Sequence, residues 1–416
     1  MGRTLHNINI RRGFTLLELL IVISIIAILM GLSMSVMFGL TEQAEVEATV
    51  VTVRKVDGVL QQRIEAFQRA LKGNRLEAAM SIVRAKLAQR QIFGVREEVL
   101  EVLARKRAFR YEFPQRMVER YVEEHPPDGN GNPTPAPQVT GMADSVYLAI
   151  AAPYARQQLE SEGVASPSAS AVAQRAALNW TRHDPATESA ELLYFALTAT
   201  ASYGVGAVDS DRFTTREVVD SDEDGLPEFV DAWGNPLRYY RWPTRLIDSD
   251  PPVPFQPDLS DKNDVTDRRL IAGLERETAN LLFRGLSPPP LSMPNGATPR
   301  DLLLIDPDDP VGRLYSEMER LNGANGQPLL AAEFNEANYH TPETYHTPLV
   351  VSAGPDGDLG LLEPVVTDPS TNTFGNLASI PDMNNDTLFD ANDHLLVRDQ
   401  LVDNITNRNR RAGGRR

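Results

Sequence analysis

The chain has 416 residues, a formal charge of −16 and no cysteine. Its length exceeds one average domain, and the missing cysteines exclude a disulfide framework and any thiolate metal site. So acidic a body is a poor nucleic-acid binder, because phosphate contacts need Lys and Arg.

Residues 1–13 carry the charges of Arg3, Arg11 and Arg12, and without them the side-chain charge is about −19. This basic stretch runs into Arg11-Arg12-Gly13-Phe14-Thr15-Leu16-Leu17-Glu18. From Leu19 to Leu40 no charge follows, and that run is long enough to cross a bilayer as a helix. Glu18 stands among leucines at its head. A carboxylate inside a membrane helix costs roughly 2.5–3.5 kcal/mol on insertion scales, so Glu18 is expected to be paired or functional. A secretory signal would need a shorter apolar core and a small-x-small cut site, for which Ser33-Met34-Ser35 is a poor candidate. Arg11-Arg12-Gly13-Phe14 also touches the twin-arginine pattern, but the strongly apolar run and its Glu argue against that reading.

Gly13, Phe14 and Glu18 after a basic leader resemble the N-terminal signal of type IV pilins and pseudopilins. The resemblance implies a cut between Gly13 and Phe14 by prepilin peptidase, methylation of the Phe14 amine, and a role for Glu18 in filament assembly. The chemistry is coherent. Glycine lets the backbone extend into a protease cleft without a side chain to clash. The cut leaves a positive amine four residues before Glu18, and an opposite charge is what a buried carboxylate needs.

Beyond the apolar half (14–40), residues 41–72 read as an amphipathic continuation of the same helix. Val46, Val50, Val53, Val56, Val59, Leu60, Ile64, Phe67 and Leu71 recur at steps of three and four. Residues 73–125 read as a helical insertion, broken near Phe93-Gly94 and at Pro114. A Pro/Gly linker follows at 126–140. Within it, Asp128-Gly-Asn130-Gly-Asn132 has cation-loop spacing, but Pro133 makes it read as a plain turn. Helical signal returns in 141–205, and residues 206–260 hold an acidic loop followed by strand-like sequence. An insertion (261–345), a C-terminal region (346–407) and a basic tail (408–416) complete the chain.

Asp220-Ser-Asp222-Glu-Asp224-Gly225-Leu226-Pro-Glu228-Phe-Val-Asp231 matches the twelve-position calcium loop. Oxygen donors stand at positions 1, 3 and 5, Gly at 6, a carbonyl donor at 7 (Leu226), and acids at 9 and 12. Alternation turns successive carboxylates to the inside of one tight turn, and calcium takes six to eight hard oxygens. Pro227 and the lack of helical flanks suggest a structural loop. A degenerate copy has Asp382, Asn384, Asp386, Asp390 and Asp393 at similar spacing, with Thr387 in place of the glycine. A third acidic turn carries Asp356 and Asp358.

Asp231-Ala-Trp233-Gly234-Asn235-Pro236-Leu-Arg-Tyr239-Tyr240 resembles the strand entry of major pseudopilins from type II secretion. Ser352-Ala353-Gly354-Pro355-Asp356-Gly357 and Asp403-Asn-Ile405-Thr-Asn407 resemble that family's loop and closing motifs. The resemblance implies one structural calcium held by Ser352, Asp356 and Asp403, with Asp358 a local competitor. It covers the N-terminal helix and three short pieces, and all of Asp358 to Val402 intervenes between the last two.

No phosphate-cradling loop or nucleophile elbow appears, and the six histidines are scattered, so the expected role is non-catalytic. The expected fold is α+β: a long N-terminal transmembrane helix or spine packed on a small antiparallel sheet, with helical insertions. The expected protein is a pseudopilin or pilin-like subunit, single-pass in the inner membrane with its head in the periplasm. Its partners would be prepilin peptidase, other pilin subunits, the inner-membrane assembly platform and membrane lipid, with no nucleic acid. The competing reading is a membrane-tethered calcium-dependent binding or adhesion module that never polymerises.

Overall fold

The computed structural model describes residues 16–89, 92–117, 145–198, 212–241, 313, 317, 348–361, 400–401 and 403–408. One helix, α1 (Leu16–Ala70), runs for 55 residues, about 80 Å at the rise of an α-helix. Its apolar N-terminal half and amphipathic C-terminal half form the single continuous element that the sequence rhythm predicts. The transmembrane half expected over 14–40 is not carried by the described residues: among them no helix is long and apolar enough to cross a membrane. Residue 14 and the side chains at 18, 34–36 and 38–39 fall outside the described set.

Five further helices follow: α2 (Asn74–Gln89), α3 (Glu97–Glu112), α4 (Ser145–Ser161), α5 (Ala169–Trp180) and α6 (Glu188–Thr198). The break between α2 and α3 falls at Gly94, whose φ of +76° suits glycine. Leu87, Ile92, Val99 and Leu103 seal the α2–α3 hairpin with their own small core. Glu317, a described residue of the long insertion, is buried at the start of α3 and accepts from the backbone and side chain of Arg96. Its carboxylate lies beside the N-terminus of α3, where an acid favours the helix dipole. Ser168 caps α5, accepting from the Ala171 amide.

Two small antiparallel sheets complete the fold. Strands β1 (Val218–Val219) and β2 (Glu228–Phe229) pair on either side of the acidic loop. The three-stranded sheet has the order β3-β4-β5, built from Arg238–Tyr240, Leu349–Ser352 and Ile405–Thr406. Tyr239 lies opposite Val350, and Ser352 opposite Ile405. The central strand β4 is buried along its whole length, as its continuous apolar run requires.

The main core joins α1 to this sheet. Val53, Val56, Val59, Leu60, Ile64 and Phe67 meet Leu193, Leu197, Phe229, Leu237, Tyr239 and Val350. Trp233 is only half-buried, and Leu237 and Tyr239 take the core positions. Polar contacts run along the same face of α1. Thr49 accepts from the Ala232 amide, Thr52 and Lys55 donate to Glu217, Asp57 accepts from Asn407, and Arg63 donates to the Leu197 carbonyl. They fix the rotation and height of the helix against the sheet, which greasy contacts alone leave loose.

Candidate metal centre

The acidic loop between β1 and β2 folds through side chains that bond its own backbone. Asp220 Oδ2 accepts from the Gly225 amide at 2.9 Å, Asp222 Oδ1 from Asp224 at 3.1 Å, and Asp224 Oδ1 from Leu226 at 2.7 Å. The bonds of Asp222 and Asp224 are Asx turns, and that of Asp220 spans the loop to Gly225. Glu223 and Gly225 both have positive φ, at 62° and 87°. Glycine is required at 225 for a second reason: a Cβ there would lie 2.4 Å from Asn179 Nδ2. Leu226 is buried in the core of α4 and α5, which anchors the far side of the turn.

Burial and crowding dominate the electrostatics. Asp220 is pushed up to about 6, first by burial and then by the Asp224 charge. Glu228, fully buried, is pushed up to about 8 by burial, with the charges of Asp222 and Asp220 adding to it. Glu228 Oε1 accepts from the Ser221 amide, but its Oε2 has no hydrogen-bond partner. Asp220 Oδ1 is likewise buried and without one. Buried acceptors left open this way cost free energy unless something else satisfies them.

Two residues that sequence reasoning missed join this loop. His183, between α5 and α6, has Nδ1 at 2.7 Å from Asp224 Oδ2 and stacks on Trp180 with centroids 4.4 Å apart. Burial opposes its charge, but the bond to Asp224 and the charges of Glu188, Asp224 and Asp222 prevail and raise its pKa. Glu191, on α6, accepts from Thr187 with one oxygen; the other, Oε2, is buried and has no hydrogen-bond partner. Its pKa is raised by burial and by the Asp224, Asp222 and Glu228 charges. Ligand atoms of His183, Glu191, Asp222 and Asp224 all lie within 4.8 Å of one another. The one trace of this in the sequence is the four-residue spacing of His183, Thr187 and Glu191, a pattern too common to mark a site.

Asp231, the last acid of the twelve-position spacing, lies elsewhere. Its Oδ1 accepts from the Trp233 and Asn235 amides, and its Oδ2 from the Ser352 hydroxyl at 2.8 Å. Ser352 Oγ also accepts from the Gly354 amide, so this serine joins Asp231 and the Gly354 turn. Asn235 Nδ2 reaches the Gly354 carbonyl and completes the junction.

Asp356, Asp358 and Asp403 form a separate acidic group. A Cβ on Gly354, whose φ is +77°, would meet Asp403 Oδ2 at 2.9 Å. Burial and then the Asp356 charge push Asp403 up to about 6, with Asp358 adding less. Asp403 Oδ1 and the neighbouring Asn404 Oδ1 are buried without hydrogen-bond partners. Asp356 and Asp358 face solvent. The predicted residues Asp382, Asn384, Asp386, Asp390 and Asp393 lie outside the described residues, as do Gly13, Phe14 and the side chain of Glu18.

The group of His183, Glu191, Asp222 and Asp224 fits a divalent cation: its ligand atoms lie together, and Glu191 Oε2 is buried without a hydrogen-bond partner.

Residues 8–34 match the family described as the prokaryotic N-terminal methylation motif. No curated protein and no solved structure matches the chain. The motif is that of pilin-like chains, which prepilin peptidase cuts and whose new N-terminus is methylated. It spans the expected cut and the start of α1, not the head.

Proposed function

We propose that this chain is a structural pilin-like subunit of the type II secretion pseudopilus class. Prepilin peptidase cuts it between Gly13 and Phe14, and the mature N-terminus is methylated. The uncharged run from Leu19 to Leu40 holds it in the inner membrane as a single pass, with the head in the periplasm. Glu18 meets the Phe14 amine of a neighbouring copy and sets the register of α1 in a filament that grows from an inner-membrane assembly platform. Calcium at the acidic loops stiffens a head that has no disulfide to do so.

The observation that carries this reading is the methylation motif at residues 8–34 joined directly to a 55-residue helix. The N-terminal half of that helix finds nothing apolar to cover it within the described chain: Leu16, Ile28 and Leu40 are each more than 60 % exposed. A pilin-like subunit supplies the cover from lipid before assembly and from sister helices after it.

Intact mass of the native protein tests the processing step. A mature chain starting at methylated Phe14 supports the reading, and retention of Met1 to Gly13 overturns it. Glu18→Ala tests assembly. Loss of incorporation into filaments, with membrane anchoring retained, is the expected result; unchanged behaviour favours a tether that does not polymerise.

A further inference from the structure

The twelve-position spacing gives the closing ligand of the acidic loop to Asp231, but that side chain sits at the turn of Trp233 to Asn235 and on Ser352, outside the group that Asp222, Asp224, Glu191 and His183 form. A calcium loop without its last carboxylate is short of oxygens, since the ion takes six to eight. The carboxylate that approaches the loop in its stead comes from α6. Glu191 is 2 % exposed, and its Oε2 has no hydrogen-bond partner. Its ligand oxygen lies in one group with those of Asp222 and Asp224. Asp220 and Glu228, at the two ends of the same loop, each hold a buried oxygen that is also without a hydrogen-bond partner. We infer that Glu191 is the closing ligand of this loop, so that one calcium ion ties α6 to the turn between β1 and β2.

This rests on the reading that the acidic loop takes calcium, and it says what that ion does. α6 contributes Leu193 and Leu197 to the core against α1. An ion shared by α6 and the loop therefore couples the loop to the spine of the molecule. A loop closed by its own twelfth residue would be a local staple. Closed by Glu191, it is a tertiary cross-link. His183 is the positioning residue: its bond to Asp224 Oδ2 orients that carboxylate, and Trp180 holds the imidazole in place. Calcium is the occupant that the donor set favours, because its oxygens outnumber the single imidazole nitrogen and calcium selects oxygen.

The test uses the full chain in detergent, with Asp403→Asn included to silence the second acidic group. Calcium affinity is read by calorimetry, and Tm is read in calcium and in chelator. Glu191→Gln is expected to weaken calcium binding by roughly tenfold or more, as losing one charged ligand should. In chelator the same variant should melt no lower than the unsubstituted protein, because without the ion Glu191 Oε2 faces only His183 Nδ1, 3.6 Å away, and is crowded by the charges of Asp224, Asp222 and Glu228. This reversal separates a ligand from a mere packing residue. Asp231→Asn should lower Tm equally in both conditions and leave the affinity unchanged. If the parent protein binds calcium and Glu191→Gln binds it as tightly, the inference fails while the calcium reading stands. If the parent binds no calcium, the calcium reading itself fails. If zinc or manganese raises Tm more than calcium does, and His183→Gln abolishes that gain, the oxygen-only site is overturned.

Discussion

The two halves of α1 are one helix in two environments. From Leu16 to Leu40 the described side chains are exposed on every face, with Leu16 at 82 % and Met37 at 67 %. From Thr49 onward one face is sealed: Val56 and Leu60 are fully buried, and polar bonds to the head recur along the same side. The difference teaches that the fold of the head explains only the C-terminal half. The N-terminal half is as apolar as a protein core, yet its described side chains bury nothing against the described residues.

That contrast is broken most severely at Phe67. Its ring lies edge-on to Phe109 and Phe113, with centroids 5.5 and 6.2 Å away. Phe67→Ala is expected to cost about 3–5 kcal/mol of head stability, the range for emptying a buried aromatic position; chemical denaturation of the full chain in detergent measures it. A smaller loss is expected at Asn407. Its amide donates to Asp57 of α1 and to the Pro348 carbonyl, and its carbonyl accepts from Val350. Asn407→Ala strands those groups and should cost about 1–3 kcal/mol. If it costs nothing, the polar ladder does not hold the helix to the sheet.

How much of this was legible beforehand depends on the range of the signal. The spine and the break near Gly94 are local patterns, and periodicity and its interruption report them directly. The pairing of Tyr239 with Val350 spans more than a hundred residues; the resemblance to pseudopilins, not periodicity, brought those segments together. Asp231 shows two local rules in conflict. The calcium-loop spacing claims it as a twelfth ligand, whereas Asp followed by Ala-Trp-Gly-Asn is also an Asx turn. In the fold the turn prevails, because it satisfies the Trp233 and Asn235 amides at once. Glu191 and His183 leave only a four-residue spacing in the sequence, too common to assign them to the loop. They reach the acidic loop from another part of the chain, and no local spacing records that approach.

The ion pair of Lys55 with Glu217 sharpens the comparison more gently. Lys55 Nζ lies 2.7 Å from Glu217 Oε1, and Thr52 and the Thr214 amide donate to the same carboxylate. Burial acts to raise the pKa of Glu217, but these bonds outweigh it and hold the group below its ordinary value. A depressed folded-state pKa contributes stability above the unfolded value and loses it as pH falls through the folded one. Glu217→Gln should therefore cost about 1 kcal/mol at neutral pH, as expected of a partly exposed pair. The gap from the unsubstituted protein should narrow below about pH 4. A gap that widens in acid would reverse the sign of the argument.

The smallest expected effect is the most direct test of the contrast. Leu29, at 57 % exposed, stands in the N-terminal half, and Leu60, fully buried, in the C-terminal half. Both are leucines in the interior of the same helix, so truncation to alanine changes propensity equally little. Leu60→Ala should cost about 2–5 kcal/mol of head stability. Leu29→Ala should move it by less than about 0.5 kcal/mol, since it empties no cavity in the fold. What Leu29→Ala removes is apolar area turned away from the subunit, so its cost should fall on retention in the membrane fraction or on filament yield. A drop in head stability on changing Leu29 would mean that the two halves share one cooperative unit, and that the head reaches further down α1 than its buried face does.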